Sequence, residues 1–296
     1  MVATSQDGAS MEIVDAHHHF WDPARNYHPW LRDEPPIPFR YGDYNAIRRR
    51  YLHEQYLDDA RDYAVAGSVY VETEWDPRDP IGEMTYVSEL RQMGLPSVAV
   101  GQAWLDRADA GSVLERLSGF DFVRSVRHKP RPGDMQSATR WRKGFALLAR
   151  RLGRFDLQTP WNHLGDAARL AHDFPSIMIF LNHTGLPADR SPEGLAGWRR
   201  AMATVAAEPN VVVKISGLGT PGIGWTAAAN RQIVLAAIEL FGVERCMFAS
   251  NFPVDSLCAS FDEIYCGFAA IVADFSEEER VALFAGNARR LYAIGG

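Results

Sequence analysis

The sequence predicts an α/β protein folded as one (β/α)8 barrel, with residues 1–296 forming a single domain. Eight short, β-rich apolar runs alternate with longer amphipathic or alanine-rich segments along the whole chain. This alternation is typical of a parallel sheet covered by helices, and eight strand–helix pairs suffice to close a barrel. The alternative, an open doubly wound sheet, is disfavoured because no glycine-rich turn follows the first strand.

The predicted elements follow one another without an internal repeat or an interdomain linker. We expect strands at residues 13–20, 65–74, 97–105, 122–128, 155–158, 177–183, 211–216 and 246–250. We expect helices near residues 43–62, 80–93, 109–118, 139–152, 161–173, 192–207, 226–241 and 276–291. Ser276 and Glu279 have the spacing of a capping box, which marks the start of the last helix.

The connection after the first strand is unusually long. Residues 21–44, WDPARNYHPWLRDEPPIPFRYGDY, are rich in proline and aromatic side chains. Long loops in compact domains are usually functional, and in a barrel this one would lie at the C-terminal face, where active sites are built. We therefore predict a lid or pocket wall; a packing arm or a subunit contact is the plainer alternative.

Composition and charge exclude several classes of protein. Hydrophobic residues make up 47% and charged residues 23% of the chain, and the net charge is −6, as in ordinary folded proteins. The absence of a basic stripe argues against nucleic acid as a partner. No stretch of 18 apolar residues and no signal-peptide pattern at the N-terminus occurs, so we expect a cytoplasmic protein without membrane contact. Three cysteines, an odd number, indicate reduced thiols rather than a disulfide framework.

Three consecutive histidines occupy the end of the first predicted strand, in the stretch VDAHHHF. Alternation along a strand gives His17 and His19 the same face and His18 the opposite one. Two imidazoles on one face can converge on a metal ion or on a substrate oxygen. A lone histidine would favour a hydrogen-bonded polar strand end, but the pair favours a functional site.

Other strands end in groups that can meet this pair at the same rim. Glu72 and Glu74 share a face of strand two, and His183 ends strand six. Strand four offers Arg127 and His128. Arg127 can bind a substrate carboxylate, polarise a carbonyl, or form a salt bridge inside the barrel with Glu72 or Glu74.

Lys214 lies within a valine-rich and isoleucine-rich strand, where an unpaired ammonium is unfavourable, so it either pairs inside the barrel or faces the site. Trp21, Trp75 and Trp161 fall at or just beyond strand ends, where an indole can stack on a planar substrate. Each of them taken singly is also compatible with ordinary packing.

Taken together, the motifs DAHHHFWD, SVRH, NHTGLP, KISGL, MFASNFPVD and GNARRLY resemble the amidohydrolase superfamily. The resemblance covers nearly the whole chain and is to the branch of amidohydrolase-2 type TIM-barrel hydrolases that includes 2-pyrone-4,6-dicarboxylate lactonase, L-fuconolactonase, L-rhamnonolactonase and sulfomuconolactonase. It implies hydrolysis of a cyclic ester at the barrel mouth. By it, His17, His19 and His183 are site residues, and Arg127 and His128 contact the substrate.

One position departs from this family. The resemblance leads us to expect an aspartate at the end of strand eight, as the base that activates water, but Asn251 stands there. An amide cannot accept a proton at neutral pH. Glu72, Glu74, His183 and Asp255 remain candidates for the base, and Asn251 is expected to position water or substrate.

The sequence therefore predicts an enzyme, a hydrolase that opens a small sugar lactone or a carboxylated, muconate-type lactone. In this hypothesis His17, His19 and His183 polarise the carbonyl, directly or as ligands of one divalent metal ion, with zinc the preferred ion and a metal-free mechanism equally open. Arg127, supported by Lys214, would anchor a substrate anion, with Glu72 and the tryptophans as further contacts. A decarboxylase, lyase or isomerase of an acidic ring compound and a non-catalytic binding protein are the alternatives, and a homo-oligomer is left open.

Overall fold

The computed structural model describes residues 11–295, and the eight predicted strands form one parallel sheet in chain order. The N-terminal residues 1–10, on which the expectation about a signal peptide partly rests, lie outside the described residues. The strands are β1 (Glu12–His18), β2 (Ala64–Val71), β3 (Val98–Gln102), β4 (Val123–His128), β5 (Arg154–Leu157), β6 (Met178–Leu181), β7 (Val211–Ile215) and β8 (Cys246–Phe248). The barrel fold is confirmed; its extent as a single domain of 1–296 stays a prediction.

Helices follow the strands and cover the outside of the barrel. They are α1 (Pro29–Arg32), α2 (His53–Asp59), α3 (Gly82–Leu90), α4 (Ala110–Ser118), α5 (Thr139–Arg151), α6 (Leu164–Asp173), α7 (Pro192–Ala206), α8 (Ala227–Phe241), α9 (Phe261–Ile271), α10 (Glu277–Val281) and α11 (Asn287–Leu291). Among the described residues, no helix is long and apolar enough to cross a membrane.

Several helix predictions differ from the structure. Of the predicted helix over residues 43–62, only a 3-10 turn, Asn45–Ile47, and α2, His53–Asp59, are helical. The sequence pattern missed α9, although Ser260 and Glu263 form a capping box at its start and it buries an apolar face. The predicted helix over 276–291 is divided by a π-helical turn, Ala282–Gly286, into α10 and α11. The capping box of Ser276 and Glu279 at the start of α10 is confirmed.

The barrel is closed by backbone bonds beyond the last ladder positions. The amide of Asn251 donates to the His17 carbonyl at 2.8 Å, and the amide of His19 donates to the Phe252 carbonyl at 2.7 Å. The buried Asp15 carboxylate strengthens the same junction, because it accepts bonds from the Ser250 amide at 2.9 Å and the Ser250 hydroxyl at 2.6 Å. The histidine strand and the end of β8 are thereby held side by side.

An irregularity in β1 determines which residues face the interior. Val14 and Ala16 belong to a buried cluster with the inward residues of β2, β3 and β6–β8. Strict alternation would then turn His18 inward, but the pairing of β1 with β2 shifts between Asp15 and His18. Such bulges re-aim side chains and are frequent beside active sites. Here the shift turns His17 and His19 inward, and His18 bonds Ser68 on the outer side at 2.9 Å.

Candidate active site

Three imidazoles meet at the C-terminal mouth of the barrel. The ring of His17 lies 5.0 Å from that of His19 and 4.6 Å from that of His183, measured between centroids. His183 follows β6 in a turn with left-handed backbone, φ 55° and ψ 36°. The close approach of this ring requires glycine at position 217, since a Cβ there would lie 2.7 Å from the His183 Nδ1.

The hydrogen bond of His19 fixes its tautomer. Its Nδ1 lies 2.8 Å from the Val71 carbonyl oxygen, which only accepts, so Nδ1 carries the hydrogen and the neutral ring has its lone pair on Nε2. His183 Nδ1 lies 2.9 Å from the Ser216 hydroxyl, which permits either tautomer. Both nitrogens of His17 are buried without a hydrogen-bond partner among the described residues.

All three imidazoles are neutral at pH 7. Burial lowers the pKa of His17, His19 and His183 well below 6.5. Neighbouring basic groups lower each pKa further: His183 and Lys214 act on His17, Arg127 acts on His19, and Arg40 acts on His183. A neutral imidazole can accept a proton or bind a metal ion, so burial keeps these groups ready for either role.

Asn251 is held in one orientation by a buried carboxylate. Its Nδ2 donates to the Asp255 Oδ1 at 2.7 Å, which leaves the Asn251 Oδ1 as an acceptor on the cavity wall. The same Asp255 oxygen accepts the Tyr41 hydroxyl at 2.8 Å and lies 3.6 Å from the Arg40 guanidinium. Asp255 thus connects the side-chain amide of Asn251, which follows β8, to the long segment after β1. Burial raises the pKa of Asp255.

Arg127 forms the salt bridge that the sequence left open, and it also lines the site. Its Nε lies 2.5 Å from Glu72 Oε1, one terminal nitrogen donates to the Glu72 carbonyl at 2.6 Å, and the other donates to Gln158 at 3.1 Å. These bonds use three of its five N–H groups, so two remain. The other Glu72 carboxylate oxygen accepts the Glu74 amide at 2.7 Å. Both oxygens of Glu72 are therefore hydrogen-bonded, and its role as the base stays a prediction.

Lys214 forms the interior ion pair that the sequence left open, and its support for a substrate anion stays a prediction. Its ammonium lies 2.6 Å from Asp156 Oδ1, and both side chains are completely buried. Tyr292 also contacts this ion pair, because its hydroxyl lies 2.9 and 3.0 Å from the two Asp156 carboxylate oxygens. Lys214 is not among the residues that line the two cavities at the mouth. A buried ammonium requires a carboxylate partner, and Asp156 provides it.

Two adjoining cavities open at this face. The histidine cavity has a volume of about 330 Å³ and is lined by His19, Trp21, Trp30, Ile37, Pro38, Phe39, Arg40, Thr73, Glu74, Arg127, Lys129, Gln158, His183, Leu186, Asn251 and Val254. His17 lies beneath it, fully buried. The segment 21–44 supplies six of these residues, so its placement over the mouth matches the expectation of a pocket wall.

The other residues predicted to contact the substrate lie outside the histidine cavity. Trp75 and His128 line a second cavity beside the first. The Nδ1 of His128 is already bonded to the Leu105 amide at 3.2 Å and the Trp141 indole at 3.1 Å. Trp161 lines neither cavity and packs over Gly197 of α7 instead.

Sequence reasoning missed Arg40 and Gln158, whereas Ser216 is one of the strand-end groups that it expects beside the histidine pair. Gln158 lies two residues beyond the inward Asp156, so strand alternation contained the signal. Arg40 belongs to an irregular segment in which no periodicity indicates direction.

A barrel whose polar side chains converge at the C-terminal mouth has the architecture of an enzyme. The model of the amidohydrolase family matches residues 14–294, so the chain belongs to this family, and the prediction of a hydrolase is confirmed at that level. The y4mH protein of Sinorhizobium fredii is 39% identical over 97% of this chain and 100% of its own. L-fucono-1,5-lactonase of Burkholderia multivorans is 28% identical, over 95% of this chain and 96% of its own. A zinc-bound amidohydrolase structure from Burkholderia multivorans has a TM-score of 0.79 at 27% identity, over 95% of this chain and 99% of that one.

The fit of a metal ion depends on the donor set. Neutral imidazoles are suitable ligands for zinc, and the unpartnered nitrogens of His17 point to unused donor capacity. Yet within residues 11–295 no three His, Cys, Asp or Glu side chains are grouped so as to hold an ion. The residues as arranged do not form a metal centre, and the metal prediction for His17, His19 and His183 stays a prediction.

Proposed function

We propose that this amidohydrolase opens a small polar lactone, with His19 as the base that activates water. The observation that carries the proposal is the His19 Nδ1 bond to the Val71 carbonyl, which leaves an unprotonated Nε2 on a ring that lines the cavity. The likeness to L-fucono-1,5-lactonase supports the substrate class.

Water activation then needs no strand-eight aspartate. His19 Nε2 takes a proton from water while Asn251 Oδ1, oriented by Asp255, accepts the second water hydrogen. The oxygen attacks the lactone carbonyl carbon and forms a tetrahedral oxyanion. The ring C–O bond then breaks, and the proton on His19 passes to the departing ring oxygen, which leaves a hydroxy acid.

Arg127 supplies the stabilising charge for this oxyanion. Its contacts with Glu72 and Gln158 fix the guanidinium in place before substrate arrives. The two remaining N–H groups are donors of the kind that stabilise charge in a transition state. His183 is a further donor or acceptor on the cavity wall, according to its tautomer with Ser216.

The cavity favours a compact substrate. A volume of about 330 Å³ is near the lower end of the roughly 300–1,000 Å³ usual for ligand sites. A six-membered sugar lactone and a carboxylated lactone both suit its mixed lining. The cations Arg40, Arg127 and Lys129 favour the carboxylated class, and Glu74, which is ion-paired with Lys129, opposes it.

The test is hydrolysis of a lactone panel by the wild-type protein and by His19→Ala. The panel contains sugar 1,5-lactones and muconate-type lactones, proton release reports turnover, and ¹⁸O-labelled water reports where the oxygen goes. We expect His19→Ala to lose at least 100-fold in kcat, the order of a general-base contribution. His172→Ala removes an exposed histidine of α6 and serves as the matched control.

Retained turnover in His19→Ala would refute the base assignment. A product without ¹⁸O would favour a decarboxylase, lyase or isomerase, and stabilisation by a ligand without conversion would favour a binding protein. Metal analysis, and titration of chelator-treated protein with zinc, test the metal prediction separately. A rise in kcat with one equivalent of zinc would show that the imidazoles act through an ion.

A further inference from the structure

A second cavity adjoins the histidine cavity, and apart from Glu72 and the residues that both cavities share, its lining has no part in the chemistry proposed above. This tryptophan cavity has a volume of about 580 Å³. It is lined by Pro29, Trp30, Asp33, Ile37, Glu72, Glu74, Trp75, Pro77, Gln102, Trp104, Arg127, His128, Lys129 and Arg131. Five of these residues also line the histidine cavity: Trp30, Ile37, Glu74, Arg127 and Lys129. One ligand can therefore reach from one cavity into the other.

The wall between the cavities is made of polar side chains that are already paired. Glu74 is ion-paired with Lys129, and Arg127 is bonded to Glu72. Glu74 has left-handed backbone, φ 53°, and its amide is tied to the Glu72 carboxylate. We call these four side chains the partition, because three of them, Glu74, Arg127 and Lys129, line both cavities.

The charged side chains of the tryptophan cavity have partners, which determines what can bind there. Besides the pairs in the partition, Arg131 is ion-paired with Asp106, and Asp33 accepts the Tyr27 hydroxyl at 2.7 Å. Except at the two remaining N–H groups of Arg127, a charged ligand group would have to displace one of these contacts. The free surface is offered by indoles, prolines and isoleucine, so the chemistry of the wall favours a neutral, planar group.

The indoles that face this cavity are held from behind. The Trp75 ring lies 5.1 Å from the ring of His28, edge to face, and 5.8 Å from that of Tyr86. The Arg107 guanidinium lies 5.3 Å from the centre of the Trp104 ring. Supported aromatic faces lose little conformational entropy when a ligand stacks on them.

We propose that the tryptophan cavity binds a neutral aromatic ring carried by the substrate, so that the preferred substrate is an aryl-substituted lactone. The lactone ring would occupy the histidine cavity, and the aryl group would cross the partition to Trp75 and Trp104. This inference rests on the proposed lactonase function and adds the class of substituent. The size of the second cavity, larger than the first, carries the argument together with its aromatic lining.

The test compares two lactones with the same six-membered ring, one bare and one bearing a phenyl group. We expect the wild-type protein to hydrolyse the phenyl lactone with about tenfold higher kcat/KM, mostly through KM. Trp104→Ala and Trp75→Ala should each remove most of this preference, because they lower kcat/KM for the phenyl lactone more than for the bare one. Trp104→Phe keeps most of the preference. Phe275→Ala, which changes a half-buried aromatic outside both cavities, keeps all of it.

A binding measurement separates this inference from the lactonase proposal. The phenyl-bearing lactam of the same ring is titrated into wild-type protein and both tryptophan variants by calorimetry. If no lactone is hydrolysed but the lactam binds about tenfold more weakly to the variants, the aryl site stands and the lactonase proposal fails. Equal handling of bare and phenyl lactones, or equal losses on both in Trp104→Ala and Trp75→Ala, would overturn the aryl site.

Discussion

Replacing Lys214 by methionine tests whether this ammonium belongs to the barrel interior or to the active site. Lys214 and Asp156 form an ion pair at 2.6 Å with both side chains completely buried. The substitution keeps an unbranched chain of similar length but leaves the Asp156 carboxylate with the Tyr292 hydroxyl and no cation. We therefore expect a large loss of stability and little direct effect on substrate binding.

The magnitude follows from the burial of the pair. Removing one partner of a buried ion pair is destabilising by about 3–5 kcal/mol, because the other charge is left without compensation. That is a large fraction of the roughly 5–15 kcal/mol that keeps a domain folded. At about 2 °C per kcal/mol for a chain of this size, the midpoint of thermal unfolding should fall by about 6–10 °C.

Urea unfolding of a double-mutant cycle measures the effect. Lys214→Met and Asp156→Leu are each expected to destabilise, whereas the double variant should regain most of the loss, since an apolar pair can replace a buried ion pair. For Lys214→Met measured below its melting point, kcat/KM on lactones should stay within a few-fold of wild type. A stability loss under about 1 kcal/mol, with a large rise in KM for anionic lactones alone, would refute the structural assignment.

Three further predictions concern the site. The pKa values of His17, His19 and His183 are lowered on folding, so the unfolded chain binds more protons than the folded one below pH 6.5. The free energy of unfolding should therefore decrease as the pH falls, by up to about 1.4 kcal/mol per pH unit for each histidine. A urea midpoint that stays constant between pH 7.5 and 5.5 would contradict this. Asp255→Ala should lower kcat about tenfold with little change in KM, because it releases the side-chain amide of Asn251. Asp255→Asn keeps an acceptor oxygen and should keep most of the activity. An inactive Asp255→Asn variant would identify Asp255 as the base instead. Asn251→Asp should lower the melting temperature, because it places a second carboxylate beside that of Asp255. The double variant, Asn251→Asp with Asp255→Asn, should restore the melting temperature. Scanning calorimetry of the two variants measures both effects.

The strand predictions succeeded because most strand residues are buried on both faces of the sheet, which makes most of the strands short apolar runs. Several predicted strands extend two or three residues beyond the observed ones, for example to Glu74 where β2 ends at Val71. The extra residues continue the apolar or alternating pattern but have left the sheet to build the mouth of the barrel. Local composition cannot distinguish a buried position in the sheet from a buried position at the mouth of the barrel.

The sequence by itself determined the number of strands, the family, and the shared face of His17 and His19, since these depend on local pattern and on motifs. Tertiary structure decided which way that face is turned, through the shift in β1 between Asp15 and His18. It also decided that Lys214 pairs with Asp156, two strands away. Pairing across strands and a one-residue bulge depend on register in three dimensions, and no periodicity along a single chain contains that information.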